Sequence, residues 1–382
     1  MKRLLCLLLA LWLCVACAAA SAEEMSLLAI NVGKADCLLL QSGDSRYLID
    51  TGLKESWGAV SSALRVRGID RLDGVILTHT DKDHAGGAWA LATSGIAVGG
   101  WYAPACYTDV KEGKHPLALA AALRGEEVVW LRAGDTLPLE GGALTVLGPL
   151  ALDDDKENNN SLVLRAETAA GSMLLTGDME FPEERTLIQA GLIGHADVLK
   201  VAHHGEDDAT SASLVRLVSP LAAVISTSTQ ARPETPSPAV VQLLRNQGAQ
   251  VAVTQDAQEG VLVTLRDGQP TVSLLPEAAK PAPVAGVVIS DRSVAQDTVC
   301  VHNGGNTAAD LSGWYLYSSR GGETFVLPDG TCLAPGESLC VSALDSPDRG
   351  DLLWPDEKVW HAKKDDAACL YDAYGRLMDT LE

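Results

Sequence analysis

Three hundred and eighty-two residues, 47% hydrophobic and 21% charged, hold enough apolar side chain to bury a core, which excludes a disordered or collagen-like chain. Twenty-nine Lys and Arg stand against 50 Asp and Glu, and the resulting formal charge of −21 excludes a broad basic stripe for an extended polyanion. Nine cysteines are unusual for a reducing compartment, so export is the first question.

The chain opens with Lys2 and Arg3, an apolar run over residues 4–20, and Ala20-Ser21-Ala22, the charged, hydrophobic and small-residue parts of an export signal. Residues 1–22 are read as a signal peptide and the protein as secreted. As a helix that run would reach about 26 Å, short of the roughly 30 Å hydrocarbon core. No later stretch matches it, so no spanning helix is expected in the mature chain. Cys17 offers a competing reading as a lipoprotein acceptor, although Cys14 stands three residues before it where Leu is usual. Cleavage after Ala22 leaves six of the nine cysteines and, with Lys2 and Arg3 gone, takes the charge from −21 to about −23.

From Ser26 onward, short β-rich apolar runs alternate with stretches of helical spacing. Residues 27–32, 37–40, 47–49, 75–77, 162–164, 173–175, 198–201 and 222–225 read as buried strands. Residues 56–67, 182–190 and 238–247 read as helices, with Ser or Pro near their starts. This alternation is α/β layering, and it assigns residues 23–275 to one large domain. A Pro/Ala segment over 276–284 has no packing residues and reads as a semi-rigid linker. Residues 285–382 change to short alternating strands broken by Gly, Pro, Asn and Asp turns, an all-β domain. Four of the six mature cysteines (Cys300, Cys332, Cys340 and Cys369) lie there, which suits disulfide stapling; buried free thiols are the alternative.

The chemistry concentrates after the strand at 75–77, in Thr78-His79-Thr80-Asp81-Lys82-Asp83-His84-Ala85-Gly86-Gly87. Four metal-ligand side chains fall within six residues, at a strand end where two glycines permit a tight turn. A strand followed by His-x-His-x-Asp-His marks the metallo-β-lactamase fold, and the form here resembles the hydrolase domain of ComEC-type DNA-uptake proteins, with Asp81 in place of the second His. The resemblance continues in order through Asn31-Val32-Gly33-Lys34-Ala35-Asp36, Leu48-Ile49-Asp50-Thr51-Gly52, Asn158-Asn159-Asn160-Ser161-Leu162, Leu174-Leu175-Thr176-Gly177-Asp178 and Lys200-Val201-Ala202-His203-His204-Gly205. It implies an αβ/βα sandwich holding two divalent metal ions, zinc or manganese. His79 and Asp81 would hold one ion, Asp83, His84 and one of His203 or His204 the other, and Asp178 would bridge them. Asp83 and Asp178 are thereby the carboxylates nearest the chemistry. Asn158 or Asn159 would complete the first site or meet substrate.

Two positions depart from that pattern. Thr235 stands where the related domains carry a His before Pro, and Glu206, followed by Asp207 and Asp208, stands where they carry Ser. Further on, Asp310-Leu311-Ser312-Gly313-Trp314-Tyr315-Leu316 and Phe325-Val326-Leu327-Pro328-Asp329-Gly330 resemble the lamin-tail domain, an immunoglobulin-like sandwich. Trp314 reads as core rather than as a ligand-stacking residue, Asp351, Asp356, Glu357, Asp365 and Asp366 as a solvated face, and the module as an adaptor for a surface or protein partner. Together these readings give a secreted metal-dependent hydrolase of phosphodiesters. The charge favours short nucleotides or phosphate headgroups over long nucleic acid. A lactone or ester hydrolase, and a non-catalytic surface binding protein, are the alternatives.

Overall fold

Alternate residues of each central strand are apolar on both faces, and that pattern suits sheets covered on both sides. The computed structural model describes residues 24–382 except 108–113, 357 and 362–364, so the signal-peptide reading of 1–22 and the acceptor reading of Cys17 lie outside the described residues. Two sheets face each other. One has eight strands, running across the sheet from Gln269–Leu275 through Met25–Ile30, Ser45–Ile49 and Gly74–Ile76 to Val128–Leu131. The other has seven, from Gln250–Val253 through Ala222–Ile225, Val198–Lys200 and Gly171–Leu175 to Thr136–Leu139.

Leu27, Leu40, Ile49 and Ile76 of the first sheet meet Leu144, Leu164, Met173 and Val198 of the second in one buried cluster. The opposite face of the first sheet, with Leu28, Leu39, Leu48 and Val75, packs on helices Trp57–Arg65, Ala88–Thr93 and Pro116–Leu123. The outer face of the second sheet, with Val163, Leu174 and Leu199, packs on helices Phe181–Gln189, Ala212–Val218 and Pro238–Asn246. The order is therefore helix, sheet, sheet, helix, and all the strands expected between residues 27 and 225 are present with ends shifted by a few residues. Strands Ser45–Ile49, Gly74–Ile76, Gly171–Leu175 and Val198–Lys200 all run toward one edge of this sandwich, and the loops that leave them carry the polar motifs.

The all-β part forms two four-stranded sheets around a separate core that includes Trp314, Leu316, Trp354 and Trp360. Trp314 is a core residue, as its place on an alternating pattern suggests. Two expectations are corrected. Among the described cysteines only Cys300 and Cys340 are joined, across paired strands, while Cys332 and Cys369 form no disulfide. Asp366 is buried rather than solvated: its carboxylate accepts from Ser318 Oγ, Arg320 N and His361 N at 2.9–3.1 Å and organises that loop. The 276–284 segment is extended, and it is tied to both domains, since Glu277 N donates to Gln258 and Pro281 O accepts from Arg376.

The β module also lies against the larger sandwich. Tyr315 and Val326 belong to the same buried cluster as Trp57, Val60 and Leu91, and Ser61 Oγ donates to Ala373 O at 2.8 Å. Gly58 and Gly375 touch backbone to backbone, so a Cβ on Gly375 would sit 2.8 Å from Gly58 Cα. Gly375 also has a φ of +75°, which other residues adopt at a cost.

Alkylation of the unfolded protein before and after reduction is expected to reveal one disulfide, mapped to Cys300 and Cys340; four newly reactive thiols would restore the fully stapled reading. Cys300→Ser should destabilise the β module by about 2–4 kcal/mol in urea unfolding, because the bond closes a loop with a sequence separation of 40.

Candidate metal centre

Asp50 follows the strand Ser45–Ile49, is fully buried, and has a φ of +60°, a conformation that Asp tolerates better than most residues. Its carboxylate accepts from Thr78 N at 2.7 Å and Thr78 Oγ1 at 2.8 Å, which fixes the start of the motif loop as it leaves Gly74–Ile76. It also lies 2.7 Å from His84 Nδ1. With Nδ1 held in this way, the other ring nitrogen, Nε2, faces Asp178 Oδ2 at 3.1 Å.

His204 is arranged alike from the opposite sheet. Its Nδ1 donates to Ser226 O at 2.8 Å, leaving Nε2 at 3.2 Å from Asp178 Oδ2 and 3.3 Å from Asp83 Oδ2. His203 and His204 both take left-handed φ values, +45° and +53°, in the short turn Ala202–Gly205. That turn sends the two rings in different directions. His204 joins Asp83, His84 and Asp178, all four offering ligand atoms within 4.8 Å of one another. His203 points elsewhere, to Asp208 Oδ1 at 2.8 Å and Asn158 Nδ2 at 3.2 Å.

His79 and Asp81 flank this group, with 3.8 Å between Nε2 and Oδ2. The His79 ring lies 4.1 Å from that of His84, and its Nδ1 is near Thr78 Oγ1 and Ser161 Oγ. Ser161 Oγ also accepts from Asp178 N at 3.1 Å, coupling the Asn-rich loop to the backbone of Asp178. Asn158 donates to Glu180 Oε1, and Asn159 is held on both sides, donating to Asp153 and accepting from Glu180 N. Both amide atoms of Asn159 are thus engaged in holding its own loop. Thr235 is buried and shares a hydrogen bond with Thr227. Glu206 is engaged by Lys34 and Arg232, each at 3.2 Å, and Asp208 by His203, so the acidic run after His204 is largely neutralised.

Burial strongly shifts these groups. It lowers His79 to about 3, helped by the neighbouring charge of His84. Burial pulls His204 down too, but Asp178 and the hydrogen bonds to Asp178 and Asp83 outweigh it and hold the ring at about 9. His84 is likewise raised against its burial by Asp178 and Asp50. Asp83 and Asp178 are held below the carboxylate range despite burial, chiefly by His204 and His84. The protonated imidazoles therefore stand where a cation would complete the site. His79 Nε2 and Asp178 Oδ1 are buried with no hydrogen-bond partner, and His84 Nε2 and His204 Nε2 face only carboxylate oxygens, as metal-ligand atoms would. Nitrogen and carboxylate oxygen together fit a divalent transition metal.

Three supporting residues carried no assigned role in the sequence reading: Asp50, Asp36 and Lys200. Lys200 is fully buried and pairs with Asp36 at 2.6 Å, while Asp36, Asp50 and His84 also lie within reach of one another. A lysine inside an apolar strand run was the available signal, since such a side chain is rarely buried without a partner.

Residues 30–229 match the Metallo-beta-lactamase superfamily and residues 280–382 the Lamin Tail Domain. The chain is 33% identical over 244 residues to "ComE operon protein 3" of Bacillus subtilis (strain 168), a match covering 59% of this chain and 31% of that protein. It is 28% identical over 236 residues to "Competence protein ComA" of Neisseria gonorrhoeae, covering 61% and 31% respectively. The chain thus spans under a third of the length of these curated relatives. Among solved structures, the metallo-beta-lactamase fold protein YhfI from Bacillus subtilis aligns with a TM-score of 0.44 at 14% identity, covering 63% of this chain and 99% of that one. With the match over 30–229 taking in more than half of its length, the chain belongs to the metallo-beta-lactamase superfamily, and a lamin tail domain follows that fold.

Proposed function

We propose that this protein is an exported metal-dependent hydrolase that cuts phosphodiester bonds in short, nucleotide-like substrates. The convergence of Asp83, His84, Asp178 and His204 at one sheet edge, with buried imidazole nitrogens facing buried carboxylate oxygens, carries this reading. These four would hold one ion, and His79 and Asp81 with Asp178 the other, zinc or manganese by the mixed nitrogen and oxygen donors. Such a pair of ions supplies Lewis acidity and a nucleophile at neutral pH. The chain's own residues supply position. Asp50 and Ser226 O fix the two imidazole rings, Ser161 holds Asp178 from behind, and Lys34, 3.9 Å from Asp83, places a cation at the mouth for an anionic substrate.

Substrate class rests on charge and kinship. Curated relatives are named for competence and recombination, which favours a phosphodiester. The formal charge of −21 opposes a long polyanion, whose binding needs many neutralised phosphates. Export is supported by the pattern of residues 2–22 and by the Cys300–Cys340 bond, which suits an oxidising compartment. Among the described residues no helix is long and apolar enough to cross a membrane.

The purified chain is expected to bind at least one equivalent of zinc or manganese and to hydrolyse bis(4-nitrophenyl) phosphate in preference to a lactone or to duplex DNA; less metal, with no turnover, overturns the enzyme reading. His84→Ala and Asp178→Ala should abolish turnover with the far-UV spectrum retained, since each removes a proposed ligand. Asp50→Asn should weaken metal binding by roughly 10–100-fold, because it frees the ring that it positions. At pH 7 His204 lies below its raised pKa of about 9 and carries a proton that ligation must displace. Metal binding should therefore release protons and weaken as pH falls; calorimetric heats independent of the buffer would contradict this.

A further inference from the structure

A cavity of about 290 Å³ lies between the motif loop and the lamin tail domain. Its walls come from both domains: Thr80, Lys82 and Gly86 from the loop and its helix, Trp89 from the next helix, and Glu323, Thr324 and Asp356 from the β module. Thr80 and Lys82 flank the proposed ligand Asp81 in sequence, so the cavity adjoins the metal centre. Its size, at the lower end of the roughly 300–1,000 Å³ typical of small-molecule sites, suits one nucleotide and no polymer.

Two observations point to a ligand. Three wall residues carry buried polar atoms without a hydrogen-bond partner: Trp89 Nε1, a donor, Glu323 Oε2, an acceptor, and Thr324 Oγ1, which can act as either. Thr324 is only 6% exposed, so bulk water does not serve its hydroxyl. At the rim stand the exposed Lys54, Lys82 and Lys114, none with an ion-pair partner among the described residues. Three free cations against two carboxylates form a local positive surface on a chain of charge −21. Between rim and floor, Pro116, Leu119 and the body of Trp89 make the wall mostly apolar.

We propose that this cavity binds the nucleoside part of the substrate, with the lamin tail domain forming one wall of the active-site cleft. A nucleobase matches the orphaned atoms, since its ring nitrogens accept from Trp89 and its amino group donates to Glu323. The planar, apolar faces suit the Trp, Pro and Leu lining, and the phosphate lies toward Lys82 and the metal loop. The β module is then a specificity element rather than a swinging adaptor, consistent with its backbone contact between Gly58 and Gly375. This inference rests on the phosphodiesterase reading for its substrate, and the test separates the two.

Isothermal titration of the metal-depleted full chain with AMP, with ribose 5-phosphate as the base-free control, reads binding without turnover. AMP is expected to bind at least tenfold more tightly than ribose 5-phosphate. Lys82→Ala and Glu323→Gln, both at partly or fully exposed residues, should each weaken AMP by severalfold, and Trp89→Ala should weaken AMP more than ribose 5-phosphate. Absence of AMP binding, equal affinity for the two ligands, or indifference to all three variants overturns the proposal. Turnover of bis(4-nitrophenyl) phosphate without AMP binding removes the cavity's role and leaves the hydrolase; AMP binding without any turnover does the reverse.

Discussion

The pairing of Asp50 with Thr78 and His84 is the interaction on which the rest depends. A carboxylate excluded from water must be compensated, and here one group meets the backbone and hydroxyl of Thr78 and the ring of His84 at once. The same contact ties the end of one strand to the loop leaving its neighbour, so the sheet edge and the candidate ligand His84 share a single anchor. Asp36 and Lys200 repeat the arrangement between the two sheets: Lys200 belongs to Val198–Lys200 and Asp36 to the loop before Leu38–Ser42. Buried pairs of this kind add little net stability but are costly to break singly, which makes them effective in fixing one arrangement of the loops.

Within the centre the buried charges also compensate one another. His84 and His204 are raised and Asp83 and Asp178 lowered, so each charge has its counter-charge in a dry pocket. His79 is different, for burial and the charge on His84 keep it neutral. The lowered His79 beside the raised His84 and His204 is an asymmetry within the candidate site.

The acidity of the chain takes on a more specific meaning in the fold. Glu206 and Asp208 looked hostile to phosphate, yet Lys34, Arg232 and His203 engage them, and Asp366 and Asp372 organise loops of the β module. The three lysines around the interdomain cavity have no such partners. Surplus negative charge elsewhere keeps the protein soluble while leaving a small cationic surface next to the candidate centre.

The local elements and the identity of the site were legible in the sequence, because they rest on short-range rules. Apolar runs of 3–6 residues marked the strands, and four ligand side chains in six residues at a strand end marked the chemistry. What depends on residues distant in the chain was not legible. That His204 lies beside Asp83, His84 and Asp178 while His203 lies beside Asp208 depends on two left-handed φ values and on Ser226 O, 22 residues from His204. The bonds of Asn159 to Asp153 and Glu180 N, which hold the Asn-rich loop, likewise reach outside its own motif. The docking of the C-terminal module is likewise decided by distant contacts, with Gly58 meeting Gly375 and Tyr315 entering the larger core. By itself, then, the sequence determined periodicity and ligand chemistry, which are properties of neighbouring residues. Only the tertiary structure decided which polar groups are buried together, because desolvation acts on groups that the fold brings into contact across hundreds of residues.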